Sequence, residues 1–107
     1  MKIVAIMPVR NEVWCLGLTA RAILLWVDEL VSLDHCSTDG TSGFLAELQI
    51  ENPLRVQILF EESQVWEEMR HRQELLEHAR VFCDATHIVI LDADEILTCN
   101  LLPHMRA

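Results

Sequence analysis

The stretch KIVAIM (Lys2–Met7), running into PVRNE (Pro8–Glu12), decides how the rest of the chain is read. It is a short β-branched apolar run with no polar face at helical spacing, so it reads as a buried strand. Pro8 is expected to close that strand, because proline cannot donate to a ladder. From Glu12 to about Val27 the period changes, with Leu16, Ala20, Ile23 and Val27 forming a helical stripe. Glu29 to Leu33 reads as a second strand ended by Asp34. STDGTS (Ser37–Ser42) is a turn, with Thr41 or Ser42 capping a helix that runs to about Glu51. Asn52 and Pro53 break that helix, and Arg55 to Phe60 is a third strand. Trp66 to Cys83 carries Trp66, Met69, Gln73, Leu76, Ala79 and Cys83 at alternating steps of three and four. THIVIL (Thr86–Leu91) is then a fourth strand. Apolar strands alternating with helices specify an α/β fold with a mostly parallel sheet covered on both faces. Right-handed crossovers narrow this to a doubly wound, Rossmann-like, three-layer sandwich.

The chain has 107 residues, with 8 Lys+Arg against 17 Asp+Glu and a net charge of −9. That length suits one domain, and no repeat, low-complexity tract or linker divides it. A hydrophobic content of 51% excludes a disordered acidic tail. The acidic balance argues against a nucleic-acid partner, whose phosphates need a basic face. The apolar runs Ile3–Val9 and Ala22–Val27 are too short for a secretory signal or a bilayer span, so no membrane span and a cytoplasmic location are expected. Cys15, Cys36, Cys83 and Cys99 are scattered, which favours core thiols in a reducing compartment over a disulfide framework or zinc site.

In open α/β sheets, ligands bind outside the carboxyl ends of the strands, near the point where strand order reverses. Those ends carry Pro8, Arg10, Asn11 and Glu12 after strand one, then Asp34 and His35 with Ser37, Thr38 and Asp39 after strand two. Strand four delivers Asp92, Asp94 and Glu95. Two aspartates separated by Ala93 just after a buried strand suit a hard divalent cation, Mg²⁺ or Mn²⁺, shared with substrate phosphates. Such a metal neutralises charge that develops on a leaving phosphate.

Together, MPVRNE (Met7–Glu12), LDHCSTDGT (Leu33–Thr41) and LDADE (Leu91–Glu95) resemble a family 2 glycosyltransferase. In that family a strand ends in Pro-x-x-Asn-Glu, a second ends in an aspartate before Ser-x-Asp-Gly-Thr, and a D-x-D-like motif follows. Where members often show two aspartates before the serine turn, this chain has Asp34 followed by His35 and Cys36. The resemblance implies the GT-A fold, a nucleoside-diphosphate sugar as donor (uridine type favoured) and a divalent metal. It further implies that Pro8, Arg10 and Glu12 line the nucleoside pocket, that Asp34 accepts a hydrogen bond from the base and that Asp39 helps fix the turn. Arg72, in MRHRQELLEHAR (Met69–Arg80), matches the basic residue that contacts the sugar nucleotide. Asp92 would contact the ribose or sugar, and Asp94, with Asp92, would hold the metal.

An inverting transferase also needs a base to deprotonate its acceptor. The resemblance implies a carboxylate well beyond the D-x-D, in an acceptor-binding half. After Glu95 no acidic residue occurs in this chain, so Glu95 is the nearest stand-in. Residues 1–107 are therefore expected to form a single sugar-nucleotide-binding domain, the N-terminal part of a longer GT-A catalytic domain. Ile96, Leu97, Leu101 and Leu102 would then leave apolar surface for self-association. The alternatives are a non-catalytic nucleotide-binding or assembly module, or a metal-dependent nucleotidyltransferase. Against the last, a glycine-rich loop with lysine near the N-terminus is absent. Among other conspicuous residues, His71 and His78 are expected on a solvated helix face, and Glu61, Glu62, Glu67 and Glu68 in a polar loop and first helical turn. Trp14 and Trp66 are expected to pack.

Overall fold

A computed structural model describes residues 1–61 and 67–93, with Glu68 placed by its backbone alone. Along the chain run β1 (Ile3–Val9), α1 (Val13–Leu24), β2 (Glu29–His35), α2 (Thr41–Glu51), β3 (Val56–Glu61), α3 (Glu68–Val81) and β4 (His87–Ile90). The strands form one sheet in the order β3-β2-β1-β4, and every pairing is parallel. The chain winds outward from β1 to β3, and α3 then carries it back across β1 to start β4 on the far side. The strand order thus reverses between β1 and β4, as the alternation of elements predicts.

Strand alternation builds the three layers. Ile3, Ala5, Met7 and Val9 of β1 face Leu16, Ala20 and Ile23 of α1 and Leu45 and Leu48 of α2. Val4 and Ile6 face the opposite way, with Val31 and Leu33 of β2, onto Leu75, Ala79 and Cys83 beneath α3. A strand buried on both faces needs an apolar residue at nearly every position, and all seven residues of β1 are buried. Among the described residues, no helix is long and apolar enough to cross a membrane.

Several local expectations give way to tertiary context. Pro8 does not end β1 but lies within it, opposite Leu33. The carbonyls of Lys2 and Ile6 accept from β4-side amides, whereas that of Ile3 accepts from Asp28 on the β2 side. Even-numbered residues therefore turn their backbone groups toward β4, whose pairing stops opposite Ile6. At Pro8 there is no ladder bond to lose. Asp34 likewise does not end β2, since it pairs with Phe60 and His35 with Glu61. The N-cap of α2 is Gly40, at φ +109°, and not Thr41 or Ser42. That left-handed turn is open to glycine, and it lets Asp39 Oδ1 accept from the Thr41 amide at 3.0 Å and hydroxyl at 2.6 Å.

The buried stripe of α3 is His71, Leu75 and Ala79, continued by Cys83 just past its end, whereas Met69 is 88% exposed. The stripe is rotated from the apolar one because His71, a polar residue, takes a core position; Trp66 lies outside the described residues. Glu61 is not in a loop but ends β3. Arg55 closes the far end of the α1 layer, donating from Nη2 to the Leu24 and Val27 carbonyls and from Nε to that of Asp28.

Candidate functional site

Two turns at the carboxyl ends of β1 and β2 hold each other. Asn11 sits at φ +53°, a left-handed conformation that asparagine tolerates better than most residues. From there its amide donates to Ser37 Oγ at 3.1 Å, and its Oδ1 accepts from the Thr38 amide at 2.7 Å. The next two amides open α1 and have no intrahelical acceptor. That of Glu12 donates to Thr41 Oγ1 at 3.0 Å, and that of Val13 to Asp39 Oδ2 at 3.3 Å. Asp39 therefore caps both helices, bonding the first turn of each. The Thr41 hydroxyl bond, aided by backbone amides and opposed by desolvation, holds its carboxyl below the usual aspartate range.

Asp34 is 2% exposed on the α1–α2 face of the sheet. Its Oδ1 accepts from the Ser37 amide at 3.3 Å and its Oδ2 from the Ser42 hydroxyl. Of the expected pocket-lining residues, Pro8 is buried, Glu12 is half-buried and Arg10 is exposed. Cys15 Sγ lies 3.7 Å from Glu12 Oε2 and donates to the Ala93 carbonyl at 3.3 Å, which brings the start of α1 against the segment leaving β4.

Across the switch point, Arg72 Nη2 of α3 reaches Asp92 Oδ1 beyond β4 at 3.3 Å. Both side chains are partly exposed, so the pair adds little stability, but it sets a cation and a carboxylate together at the sheet's edge. Asp94 and Glu95 lie outside the described residues, as do Ile96, Leu97, Leu101 and Leu102. Among the described residues, no three His, Cys, Asp or Glu side chains converge to hold a metal ion.

Other side chains differ from expectation. Trp14 is not packed but 74% exposed at the start of α1. Cys83 is the one described cysteine in the core, and burial pushes its thiol up to about 12. Cys15 and Cys36 are half-buried at the strand-end rim, Cys36 at φ +49° with Sγ donating to the Glu61 carbonyl at 3.0 Å. His71 is not on a solvated face: it is fully buried, its ring centroid 4.7 Å from that of His35. His35, expected among the ligand-facing strand-end groups, is instead buried against His71, Ser42 bonds Asp34, and Cys15 lies at the rim and not in the core. For His35 a signal was present, because strand parity opposes it to Asp34 and turns it toward α3.

Desolvation holds His71 below its ordinary 6.5, reinforced by His35 and Arg70 and opposed by Glu61 and Glu74. Desolvation also lowers His78, against Glu29. In the unfolded chain both histidines take protons near 6.5, while in the fold they resist. Their contribution to stability is complete above about pH 6.5 and is lost as pH falls below it, until the folded histidines themselves protonate. A urea midpoint lower at about pH 5.5 than at about pH 7.5 is expected. Equal midpoints would contradict this account.

No protein-family model matches the sequence, and no curated protein matches it. Solved structures do. Staphylococcus aureus TarS 1-349 in complex with UDP-GlcNAc superposes with a TM-score of 0.75 at 19% identity, over 99% of this chain and 30% of that one. A mannosyltransferase from Pyrobaculum calidifontis, in complex with GDP-Man and Mn²⁺, gives 0.69 at 23%, over 94% of this chain and 29% of that one. The fold is thus that of these glycosyltransferases, and the chain spans about 30% of the TarS chain it matches.

Proposed function

We propose that the chain is the donor-binding part of an inverting, family 2 glycosyltransferase that takes a nucleoside-diphosphate sugar, preferably a uridine one. In this reading residues 1–107 belong to the N-terminal part of a longer GT-A catalytic domain. The observation that carries it is the clustering at the carboxyl ends of β1, β2 and β4, beside the switch point, of Asp34, the interlocked turns that hold Asn11 to Thr38 and Asp39 to Val13, and the Arg72–Asp92 pair. The fold shared with structures holding UDP-GlcNAc and GDP-Man supports the same reading.

Pro8, Arg10 and Glu12 line the nucleoside side. Asp34 has four lone-pair sites, and protein donors fill two of them. It keeps an acceptor for a base N–H such as uracil offers. Asp39 holds the turn beneath the base, Arg72 meets the diphosphate or sugar, and Asp92 the ribose or sugar. The fit of a metal rests on donor chemistry: a half-exposed carboxylate leads into the D-x-D, and hard oxygen ligands suit Mg²⁺ or Mn²⁺. Asp92 and Asp94 would hold the ion, which supplies Lewis-acid stabilisation of the leaving diphosphate.

Calorimetric titration of the chain with UDP tests this reading. UDP is expected to bind in Mn²⁺ and to lose about tenfold or more in affinity in EDTA, since Asp92 and Asp94 would hold the ion and it would offset the charge of the diphosphate. Absence of UDP and GDP binding, or binding indifferent to EDTA, would overturn it.

A further inference from the structure

The buried pair His35 and His71 has no part in the site as described so far, yet it lies directly behind it. In β2, Asp34 faces α2 through Ser42, and the next residue, His35, faces α3. In α3, His71 faces the sheet, and the next residue, Arg72, reaches Asp92. The two rings, each fully buried and 4.7 Å apart, therefore bridge the elements that carry the base-facing carboxylate and the diphosphate-facing guanidinium. We propose that the His35–His71 contact is a positioning pair that sets α3 against β2, and that protonating His71 separates Asp34 from Arg72 and weakens donor binding. This rests on the donor-site reading above.

The groups facing His71 decide the direction. His35 approaches from β2 and Glu61 from the end of β3, with Nε2 3.8 Å from Glu61 Oε2. Arg70 and Glu74 flank it on α3. Arg70 is bound to Glu61, Glu67 and Glu74, so these carboxylates are already shared with a permanent cation. A proton on His71 places a further cation in a dry site beside another imidazole and beside Arg70, and separating the two elements relieves it. A helix moves as a unit, so Arg72 moves with His71.

The test uses UDP-GlcNAc, whose diphosphate diester does not titrate in this range, with Mn²⁺ on the wild-type chain. Affinity is expected to fall severalfold from about pH 7.5 to about pH 5.5, short of the roughly tenfold ceiling that one proton on an unshifted histidine sets. In His71→Phe, which keeps a ring but cannot take a proton, the same step is expected to stay within about twofold. His71→Asn serves if the phenylalanine variant does not fold. A pH-independent wild-type affinity, or an unchanged pH slope in the variants, overturns the proposal. A ligand-free readout separates it from the donor-site reading. In the wild type, the amides of Ser37 and Arg72 should shift with one common midpoint, following His71, and should cease to do so in the variant. If no donor binds but these amides co-titrate, the positioning pair stands and the donor reading falls. Independent or absent titration overturns the pair whatever binds.

Discussion

Replacing Ile6 with alanine is expected to remove about 2–5 kcal/mol of unfolding free energy. The side chain is fully buried in the central strand, in register with Val31 on one side and Ile90 on the other. It contributes to the core under α3 with Leu33, Leu75 and Ala79. Flanking strands hold both edges of the site, so the cavity has little room to collapse. A domain of this size has about 5–15 kcal/mol in total, so the variant should unfold at a much lower urea concentration. Leu54→Ala, at a side chain 86% exposed, should stay within about 0.5 kcal/mol. An Ile6→Ala midpoint equal to that of Leu54→Ala would show that β1 is not the centre of the core.

The largest expected effect on binding is at Asp34. Losing a charged acceptor for a base N–H costs about 1.5–3 kcal/mol, or about 10–100-fold in UDP affinity for Asp34→Ala. The same carboxylate accepts from the Ser37 amide and the Ser42 hydroxyl, so the variant also leaves a buried donor unmatched and loses stability. The two roles separate when affinity is measured per folded molecule, with the folded fraction read from denaturation. If Asp34 only braces the turn, the corrected affinity returns to the wild-type value, and the base contact is disproved. Asp34→Asn, which keeps the shape and one acceptor oxygen, should fall between alanine and wild type.

Much of this site was legible because its residues follow strand ends. An apolar run that turns polar near Pro8, Asp34 or Asp92 marks a strand's carboxyl end to within a residue or two, although Pro8 and Asp34 themselves still lie inside β1 and β2, and a parallel sheet collects those ends on one rim. Order and spacing place Arg10, Glu12, Asp34, Asp39 and Asp92 at or beside that rim, which is all that they state. Arg72 enters only through likeness to a family pattern, since nothing in its own helix distinguishes it from Arg70 or Arg80. The Arg72–Asp92 pair, 20 residues apart, needed the crossover of α3 to exist.

What the sequence by itself determined is the alternation of strand and helix, the doubly wound α/β sandwich and the polar rim. Each depends on periodicity and on breakers that act within a few residues. The tertiary structure alone decided which polar groups are buried and what they meet. Pro8 is tolerated inside β1 because β4 ends opposite Ile6, a fact about a strand far along the chain, His87–Ile90. His71 is read as a surface residue until β2 places His35 against it, and Asn11 as a loop residue until Thr38 bonds it. Burial and hydrogen bonding of a polar side chain are set by neighbours distant in sequence, so no local pattern reports them.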